Sequence, residues 1–283
     1  MLAMSHLALL VNPESGSGDA GGVADFLRDA GAEVTAFDLA RLDDAVASNP
    51  ERIVVAGGDG SLGPVAVAAS RARVPLAVVP VGTANDLARK LGLPDNPAAA
   101  ARLAARGTVT RRLDLAWMGE RPFLNVASIG LAPVAARKAS GMKRLLGPFA
   151  YAIGGARAAA TARPVRCRIA CDGDDIFAGE VWQATVASSG AFGGGAEVEA
   201  DPADGMLDAV AIEAGSRLAL ARRAHGLRRG SIGSQPGVRS RRAQVVELDV
   251  PAATSFNVDG ELVESGPVRF EVDARAVDVV VGE

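Results

Sequence analysis

The sequence predicts an α/β protein. An N-terminal domain, residues 1–111, is expected to hold a doubly wound, mainly parallel sheet, and a mainly antiparallel, β-sandwich-like second domain is expected to occupy residues 112–283. Up to about residue 111, short apolar runs alternate with helix-like segments, which is typical of a parallel sheet. Beyond it, short strands follow one another with turn signals between them, which is typical of antiparallel pairing.

The predicted elements can be placed in order along the chain. In the first domain, strands are predicted at 7–12, 33–37, 53–56 and 74–82, and helices at 21–31, 41–48, 64–72 and 85–92. In the second domain, strands are predicted at 113–118, 121–128, 165–173, 180–188, 206–213, 243–250, 254–263 and 268–274. One helix-like insertion, 134–162, interrupts this series.

Composition places the chain among soluble proteins. It has 283 residues, of which 49% are hydrophobic and 22% charged. Cys167 and Cys171 are too few for a disulfide framework, and their spacing puts both on one face of a strand, so we expect buried, reduced thiols. No apolar run approaches the roughly 20 residues of a membrane span. The N-terminus lacks a basic leader with a cleavage site, so a cytoplasmic protein is expected.

The charge is unevenly distributed although the net charge is only −3. No acidic residue occurs between Glu120 and Asp172, or between Glu213 and Glu247, and both segments are rich in arginine. A basic surface of this kind would favour an anionic partner. Residues 143–157 mix Lys and Arg with large apolar side chains, as membrane-surface segments do. The same pattern also fits an ordinary amphipathic helix, and both readings stay open.

Two glycine-rich loops follow predicted strands of the first domain. Residues 12–21 contain the letters G-x-G-x-x-G, but four residues separate the strand end from the first glycine, so a dinucleotide site is weakly supported. Residues 57–61, Gly-Gly-Asp-Gly-Ser, directly follow the apolar run Ile53–Ala56. Glycines let the backbone approach a phosphate closely, and unpaired N–H groups at a helix start can bind it.

The acid inside the second loop indicates a metal. A carboxylate beside phosphates is favourable when a divalent cation lies between them, so Asp59 suggests Mg²⁺. A second strand end follows at 80–89, with Thr83, Asn85 and Asp86 at the start of the next helix. Because neighbouring parallel strands end at one edge of a sheet, we expect the two turns to lie together. Either turn can also be explained as a glycine turn or a helix cap.

Other chemistries lack their residues. His6 and His225 are the only histidines, which disfavours a histidine-ligated metal and a Ser-His-Asp triad. No G-K-[ST] loop occurs, and the nucleophile pattern G-x-S-x-G fails at Ser61. Acid–base work would therefore fall to carboxylates. No nucleic-acid partner is expected, since no binding module occurs and aromatic residues are few.

Six motifs occur in the order found in the diacylglycerol kinase and sphingosine kinase superfamily, and the chain resembles its bacterial soluble lipid kinases over nearly its whole length. The motifs are Asn12-Pro-x-Ser-Gly16, GGDGS (57–61), PVGTANDLAR (80–89), LDLAW (113–117), GGGAEVEADPADGMLD (193–208) and NVDGELV (257–263). The resemblance implies an α/β nucleotide-binding domain followed by a β-sandwich-like domain. The chain departs from the family at Ser61, where a Thr is usual, and at Ser189-Gly190, where Asn-Gly is usual.

The resemblance also implies roles for individual residues. The implied ATP-binding residues are Gly57, Gly58, Asp59, Gly60, Ser61, Leu62, Gly63, Thr83 and Asn85. Asp59, Asp86 and Asp114 resemble the acidic set around the catalytic Mg²⁺. Asp201, Asp204 and Met206 match a second metal loop, and Glu261 matches the catalytic base.

The expected reaction is an ATP- and Mg²⁺-dependent phosphorylation of a lipid alcohol, with Glu261 as base and Asp59 and Asp114 near the cation. Diacylglycerol, phosphatidylglycerol, a sphingoid base and an isoprenoid alcohol all fit, and we expect peripheral contact with the anionic inner face of the membrane. Two alternatives stay open: an NAD kinase, which shares the GGDG loop, and a non-catalytic nucleotide- or lipid-binding protein. The sequence leaves the oligomeric state open, a homodimer included.

Overall fold

The computed structural model describes residues 5–12, 20–140, 161–192, 196–197, 200–217, 220 and 235–282. The chain forms two compact units, one of Met1–Leu115 with Ala274–Glu283 and one of Ala116–Asp273. The sequence pattern predicted a change after residue 111, and the structure changes unit after Leu115. The last ten residues return to the first unit, which the strand pattern did not indicate.

The first unit alternates strands and helices. Its elements are β1 (His6–Val11), α1 (Ala20–Asp29), β2 (Glu33–Asp38), a 3-10 turn (Leu39–Arg41), α2 (Leu42–Ala47), β3 (Arg52–Gly57), a second 3-10 turn (Asp59–Ser61), α3 (Leu62–Ala72), β4 (Leu76–Pro80), α4 (Asp86–Lys90) and α5 (Pro97–Arg106), after which β5 (Thr110–Met118) leads into the second unit. Every predicted element of this part is confirmed. Helix α5 was not predicted, although Asn96 caps it and Pro97 opens it.

The sheet of the first unit is parallel, as predicted. The strands lie in the order β4-β3-β1-β2, and Leu7 faces both Val34 of β2 and Arg52 of β3. The chain therefore extends the sheet on one side of β1 with β2 and on the other with β3 and β4. Open α/β sheets bind ligands beyond the carboxyl ends of their strands at such a switch point. In this unit, Asn12 follows β1 and Gly58 follows β3 at that edge.

Buried aliphatic side chains hold the helices on this sheet. Leu7, Leu9, Val54 and Val79 belong to one buried cluster with side chains of α1 and the alanines of α5, whose small side chains allow close packing. The half-buried guanidinium of Arg52 donates hydrogen bonds to the carbonyl oxygens of Ala104 and, at 2.8 Å, Gly107. Burial lowers the pKa of Arg52. These bonds tie the end of α5 to the start of β3.

The second unit is built of antiparallel strands and one described helix. Its elements are β6 (Arg121–Phe123), β7 (Val126–Gly130), α6 (Leu131–Ser140), β8 (Val165–Cys171), β9 (Asp174–Ala187), β10 (Ala191–Phe192), β11 (Ala196–Glu197), β12 (Leu207–Glu213), β13 (Val238–Ala243), β14 (Val245–Asp249), β15 (Thr254–Val258), β16 (Glu261–Ser265) and β17 (Val268–Val280). The far end of β17 belongs to the first unit, where Val279 pairs with Leu76 of β4 in parallel.

The antiparallel sheet encloses an aromatic and aliphatic core. The strands follow the order β16-β15-β7-β9-β8-β14-β17, and β12 lies between β9 and β13. Phe123 and Phe270 meet edge to face with ring centroids 6.1 Å apart. Cys167 and Cys171 belong to this core as free thiols, which confirms their predicted burial on one face of a strand. Burial raises the pKa of each thiol to about 11.

Arginines of the two acid-free segments meet carboxylates from other parts of the chain. Arg239 pairs with Glu213 at 2.9 Å, and Arg241 pairs with Asp174 at 2.9 Å. Arg168 on β8 pairs with Asp175 at 2.5 Å. The antiparallel fold thus brings an acid to each of these three arginines, from 26 and 67 positions away in the case of Arg239 and Arg241.

The candidate membrane segment, 143–157, lies outside the described residues, and so does most of the predicted insertion beyond α6. Within the described part of the chain, no helix combines the length and the apolar character that crossing a bilayer requires.

Candidate functional site

The two predicted loops of the first unit do lie together. The turn after β3 contains Gly57–Gly63, the turn after β4 contains Val81–Asp86, and the Val81 N–H donates to the Gly57 carbonyl at 3.2 Å. The backbones touch at Gly58 and Gly82, because a Cβ atom added to Gly82 would lie 2.5 Å from the Gly58 Cα. Only glycine fits such an approach. The expectation that both turns share one edge of the sheet is confirmed.

Asp59 fastens the two turns to each other. Its Oδ2 accepts the Asp86 N–H at 3.0 Å and its Oδ1 accepts the Leu87 N–H at 3.1 Å. These are the first N–H groups of α4, which a helix leaves unpaired unless a side chain accepts them. The carboxylate is 9% exposed. Asp59, which the sequence predicts to lie near a metal ion, therefore also has a structural role, because it joins the two turns.

Asn85 shapes the second turn from within. It adopts the left-handed conformation, at φ 50°. Its Oδ1 accepts the Gly82 N–H at 3.0 Å, and its Nδ2 donates to the Gly82 carbonyl at 3.0 Å. Thr83, between them in sequence, is exposed. Of the two predicted nucleotide contacts in this turn, Asn85 is used to hold the backbone and Thr83 lies at the surface.

The remaining predicted residues of the first turn are mostly buried. Ser61 and Leu62 are 4% and 2% exposed, and the Ser61 N–H donates to the Gly58 carbonyl at 3.0 Å. Asn12, at the end of β1, lies 3.5 Å from the Ser61 hydroxyl through its Nδ2. The switch point thus brings the first motif of the sequence to the second. The rest of that motif, residues 13–16, lies outside the described residues.

Asp86 and Asp114 complete the predicted acidic set. Asp86 pairs with Arg89 at 2.9 Å. Asp114 is 1% exposed, and its Oδ1 accepts the N–H of Arg275 at 2.7 Å. Among the described residues, no three acidic, His or Cys side chains are grouped closely enough to hold a metal ion. Mg²⁺ usually keeps several waters and binds through one or two carboxylates plus substrate phosphates, and Asp59 with Asp86 fits that mode.

Glu261 stands on a tight hairpin of the second unit. Asp259 and Gly260 have φ of 47° and 90°, as a two-residue type I′ turn requires, and Val258 pairs with Glu261 across it. The Glu261 side chain is half exposed and forms an ion pair with the guanidinium of Arg121. Leu262, the next residue, is one of two large hydrophobic side chains exposed in the described chain.

Asp259 is a site feature that the sequence analysis missed. It is 8% exposed and its carboxylate accepts three backbone N–H groups, from Leu124 at 2.8 Å, Asn125 at 3.0 Å and Val126 at 2.9 Å. The Asp-Gly pair signals a hairpin turn in sequence. Nothing in the sequence indicates which segment, some 135 positions away, its carboxylate binds.

The predicted second metal loop contains a protein cation. Asp204 Oδ1 accepts the Met206 N–H at 2.9 Å, and Asp204 Oδ2 is bound by the guanidinium of Arg242. Arg242 Nε also lies 3.9 Å from Asp208. Asp201 Oδ1 accepts the Ala203 N–H at 3.2 Å. The Arg242 guanidinium thus stands beside the Asp204 carboxylate, in the loop where the resemblance implies a metal ion, and already neutralises much of its charge.

Comparison with protein families matches both parts of the chain. Residues 6–118 match the family described as the diacylglycerol kinase catalytic domain. Residues 125–281 match the YegS C-terminal NAD kinase beta sandwich-like domain.

Individual proteins give the same result. A Pseudomonas aeruginosa protein named "Probable lipid kinase YegS-like" is 33% identical over 84% of this chain and 79% of its own length. A Staphylococcus saprophyticus diacylglycerol kinase is 30% identical over 86% of this chain and 83% of its own length. A crystal structure described as a diacylglycerol kinase from Bacillus anthracis has a TM-score of 0.79, with 22% identity, and covers 100% of this chain and 99% of its own. At that identity the structural likeness supports the fold alone, and the fold class predicted from the sequence is confirmed.

Proposed function

This chain belongs to the diacylglycerol kinase family and is a lipid kinase, and we propose that it transfers the γ-phosphate of ATP to the hydroxyl of a lipid. The acceptor class we propose is diacylglycerol-like or phosphatidylglycerol-like. The observation that carries the proposal is the coupling of the two glycine-rich turns by Asp59 and by the Gly58–Gly82 contact.

That coupling supports nucleotide binding in a specific way. Residues 57–63 run from the end of β3 into the eleven-residue helix α3, where glycine N–H groups and the positive end of the helix dipole favour phosphate oxygens. The N–H groups of Ser61 and Leu62 already donate to the Gly58 and Asp59 carbonyls, so they contribute through the shape of the turn. Bonding between the turns fixes those groups before ATP arrives, which reduces the ordering cost of binding. Exposed Thr83 would contact the nucleotide from the second turn.

Magnesium would be held by the phosphates together with Asp59 and Asp86. When bound, it would neutralise charge on the phosphoryl group that is transferred. Asp114, buried in the same unit, would support the acidic environment at longer range. In this proposal the carboxylates orient the ion and supply negative charge. They need not provide all of its ligands, because the phosphates and water can provide the rest.

Glu261 is the proposed general base. Its exposed carboxylate would accept the proton of the lipid hydroxyl while the hydroxyl oxygen forms a bond to the γ-phosphorus and ADP leaves. A rigid two-residue turn limits the positions that the carboxylate can occupy. Exposed Leu262, directly beside it, is suited to contact an apolar acceptor.

We further propose that the protein works at the inner face of the membrane as a peripheral, cytoplasmic enzyme. The support is that its proposed acceptor resides in a bilayer and that residues 143–157 combine basic and apolar side chains. Co-sedimentation with anionic vesicles that decreases with salt and after replacing Lys143 and Arg144 would support it. Salt-independent binding would contradict it. A homodimer stays a proposal that sedimentation would test.

The decisive experiment is transfer of radiolabelled phosphate from ATP to a panel of acceptors in mixed micelles. The panel contains diacylglycerol, phosphatidylglycerol, a sphingoid base, an isoprenoid alcohol and NAD. We expect labelling of a lipid, and a loss of at least about 100-fold in kcat for Glu261→Ala, because general-base catalysis contributes that much. Glu264→Ala, an exposed acid on the same strand, is the matched control and should retain activity.

Two outcomes would contradict the proposal. Labelling of NAD alone would make the protein a nucleotide kinase. Binding of ATP with no labelled product from any acceptor would make it a binding protein. Loss of transfer in Asp59→Ala with an unchanged thermal midpoint would further tie the reaction to the two turns.

A further inference from the structure

Two hairpins of the second unit share one turn design. Cys171-Asp172-Gly173-Asp174 joins β8 to β9, and Val258-Asp259-Gly260-Glu261 joins β15 to β16. In each, the Asp and the Gly both adopt positive φ, 51° and 89° in the first hairpin and 47° and 90° in the second. The acid that follows the turn pairs with an arginine in both cases, Asp174 with Arg241 and Glu261 with Arg121.

The aspartate of each turn clamps the hairpin to a distant segment. Asp172 accepts the N–H groups of Gln244 and Val245 at 3.1 and 2.9 Å, and its own N–H donates to the Val245 carbonyl. Asp259 accepts three N–H groups, through both of its oxygens, and its own N–H donates to the Val126 carbonyl at 3.0 Å. The Asp259 clamp is the stronger one, since it has more donors and is buried.

The Asp259 clamp lies between the two partners of the Glu261 ion pair. Glu261 follows Asp259 by two positions on the hairpin side. Arg121 lies on β6, which ends at Phe123 directly before the clamped residues 124–126. The four hydrogen bonds of Asp259 therefore fix the hairpin against the segment that directly follows the strand of Arg121, and they limit where the Glu261 carboxylate can lie.

We propose that Asp259 is a positioning residue for Glu261, an inference that rests on the proposed role of Glu261 as the base. Asp259 does not touch the substrate. Its buried carboxylate holds the turn so that the Glu261 carboxylate stays in place for proton transfer. Asp172 performs the same mechanical task at a hairpin to which no chemistry is assigned.

The test compares Asp259→Asn with Asp172→Asn in the full-length protein, measured as steady-state phosphate transfer. Asn keeps the size of the side chain but replaces one acceptor oxygen with a donor that faces N–H groups. For Asp259→Asn we expect kcat to fall about 100-fold, the effect of misplacing a catalytic group by about 1 Å, with KM for ATP within about twofold of the wild type. Asp172→Asn should leave kcat unchanged.

A double-mutant cycle separates positioning from general destabilisation. If Asp259 acts through Glu261, adding Asp259→Asn to Glu261→Ala should not lower the residual kcat further. A loss that multiplies in the double mutant, or a wild-type kcat in Asp259→Asn, would overturn the proposal. Should Asp259→Asn fail to fold, Asn257→Ala replaces it, because Asn257 Oδ1 accepts the Gly260 N–H of the same turn at 2.9 Å. A kcat loss in Asn257→Ala that disappears in the Glu261→Ala background supports the proposal, and an unchanged kcat overturns it.

These results also distinguish the two proposals. Full kcat in Glu261→Ala would remove the base and Asp259 with it. An inactive Glu261→Ala beside a fully active Asp259→Asn would remove only the positioning role.

Discussion

Gly82→Ala should weaken ATP binding by separating the two glycine-rich turns. The added Cβ would lie 2.5 Å from the Gly58 Cα and 2.7 Å from the Asn85 Oδ1. Carbon atoms in contact prefer about 3.5–4.0 Å, so the turns must move apart by about 1 Å. The first of these neighbours is backbone, and Asn85 is held by two hydrogen bonds to Gly82 itself. Neither can yield by a simple change of rotamer.

The size of the effect follows from overpacking energies. Forcing a methyl group into a packed site costs about 1–3 kcal/mol. If that cost falls on the arrangement that binds nucleotide, the Kd for ATP should rise about 5- to 150-fold, since 1.4 kcal/mol corresponds to tenfold. The displacement would also strain the two hydrogen bonds that Asp59 forms with Asp86 and Leu87.

Calorimetric titration with magnesium and a non-hydrolysable ATP analogue measures this Kd. Gly215→Ala is the matched control, because no atom lies within 4 Å of its added Cβ. The control should bind as the wild type does. Wild-type nucleotide affinity in Gly82→Ala would refute the argument that contact between the turns builds the site.

The remaining predictions concern the second unit. Arg242→Gln should lower the thermal midpoint of unfolding, because Asp204 and Asp208 lose the cation that they share. We expect a decrease of about 2–4 °C, which corresponds to about 1 kcal/mol in a protein of this size. The control Arg239→Gln breaks only one surface ion pair and should lower the midpoint less. A chelator should leave the midpoint of the nucleotide-free wild type unchanged, whereas a lower midpoint would show that a divalent ion holds the Asp204 loop. At pH 8 the thiols of Cys167 and Cys171 should react with a disulfide reagent about 100-fold more slowly in the folded than in the unfolded protein, because burial raises each pKa from 9.0 to about 11. Equal thiol reactivity in the folded and unfolded protein would contradict the raised pKa values. Since the thiols lose their protons at lower pH in the unfolded protein, the free energy of unfolding should decrease as the pH rises from about 9 towards 11.

Local patterns were sufficient to predict most of the fold. Apolar runs alternating with helical segments specified β1 to β4, and turn residues between short strands specified the antiparallel unit. The return of residues 274–283 to the first unit was not predictable, because the far half of β17 has the same strand pattern as its neighbours. Which strand it joins depends on tertiary packing alone.

The loops of the candidate site were predictable from the sequence, whereas the hydrogen bonds that join them were not. Parallel strand order placed the two glycine-rich turns on one edge, and the structure confirms their contact. The bonding of Asp59 to the start of α4 was not visible, because an acid in a glycine loop has the same sequence signature whether it binds a cation or backbone N–H groups. The clamp formed by Asp259 was hidden for a related reason: its partners at 124–126, at the start of β7, bind through backbone N–H groups, which leave no signature in the sequence.

The charge pattern is tested only in part, because many basic residues of the two acid-free segments lie outside the described residues. Among the described residues, Arg168, Arg239 and Arg241 meet acids of other strands, so at these positions the predicted basic surface is partly neutralised. The charge of a sequence segment predicts the charge of the folded surface only where no opposite charge from another segment lies beside it. In an antiparallel sheet, residues distant in sequence become neighbours, and a linear count does not include them.

The most direct test is a crystal structure of the protein with Mg²⁺ and a non-hydrolysable ATP analogue. We predict that the triphosphate lies against the backbone N–H groups of residues 57–63, with the magnesium ion near Asp59 and Asp86. A nucleotide bound elsewhere, with these two turns empty, would contradict the central claim that contact between them creates the phosphate site.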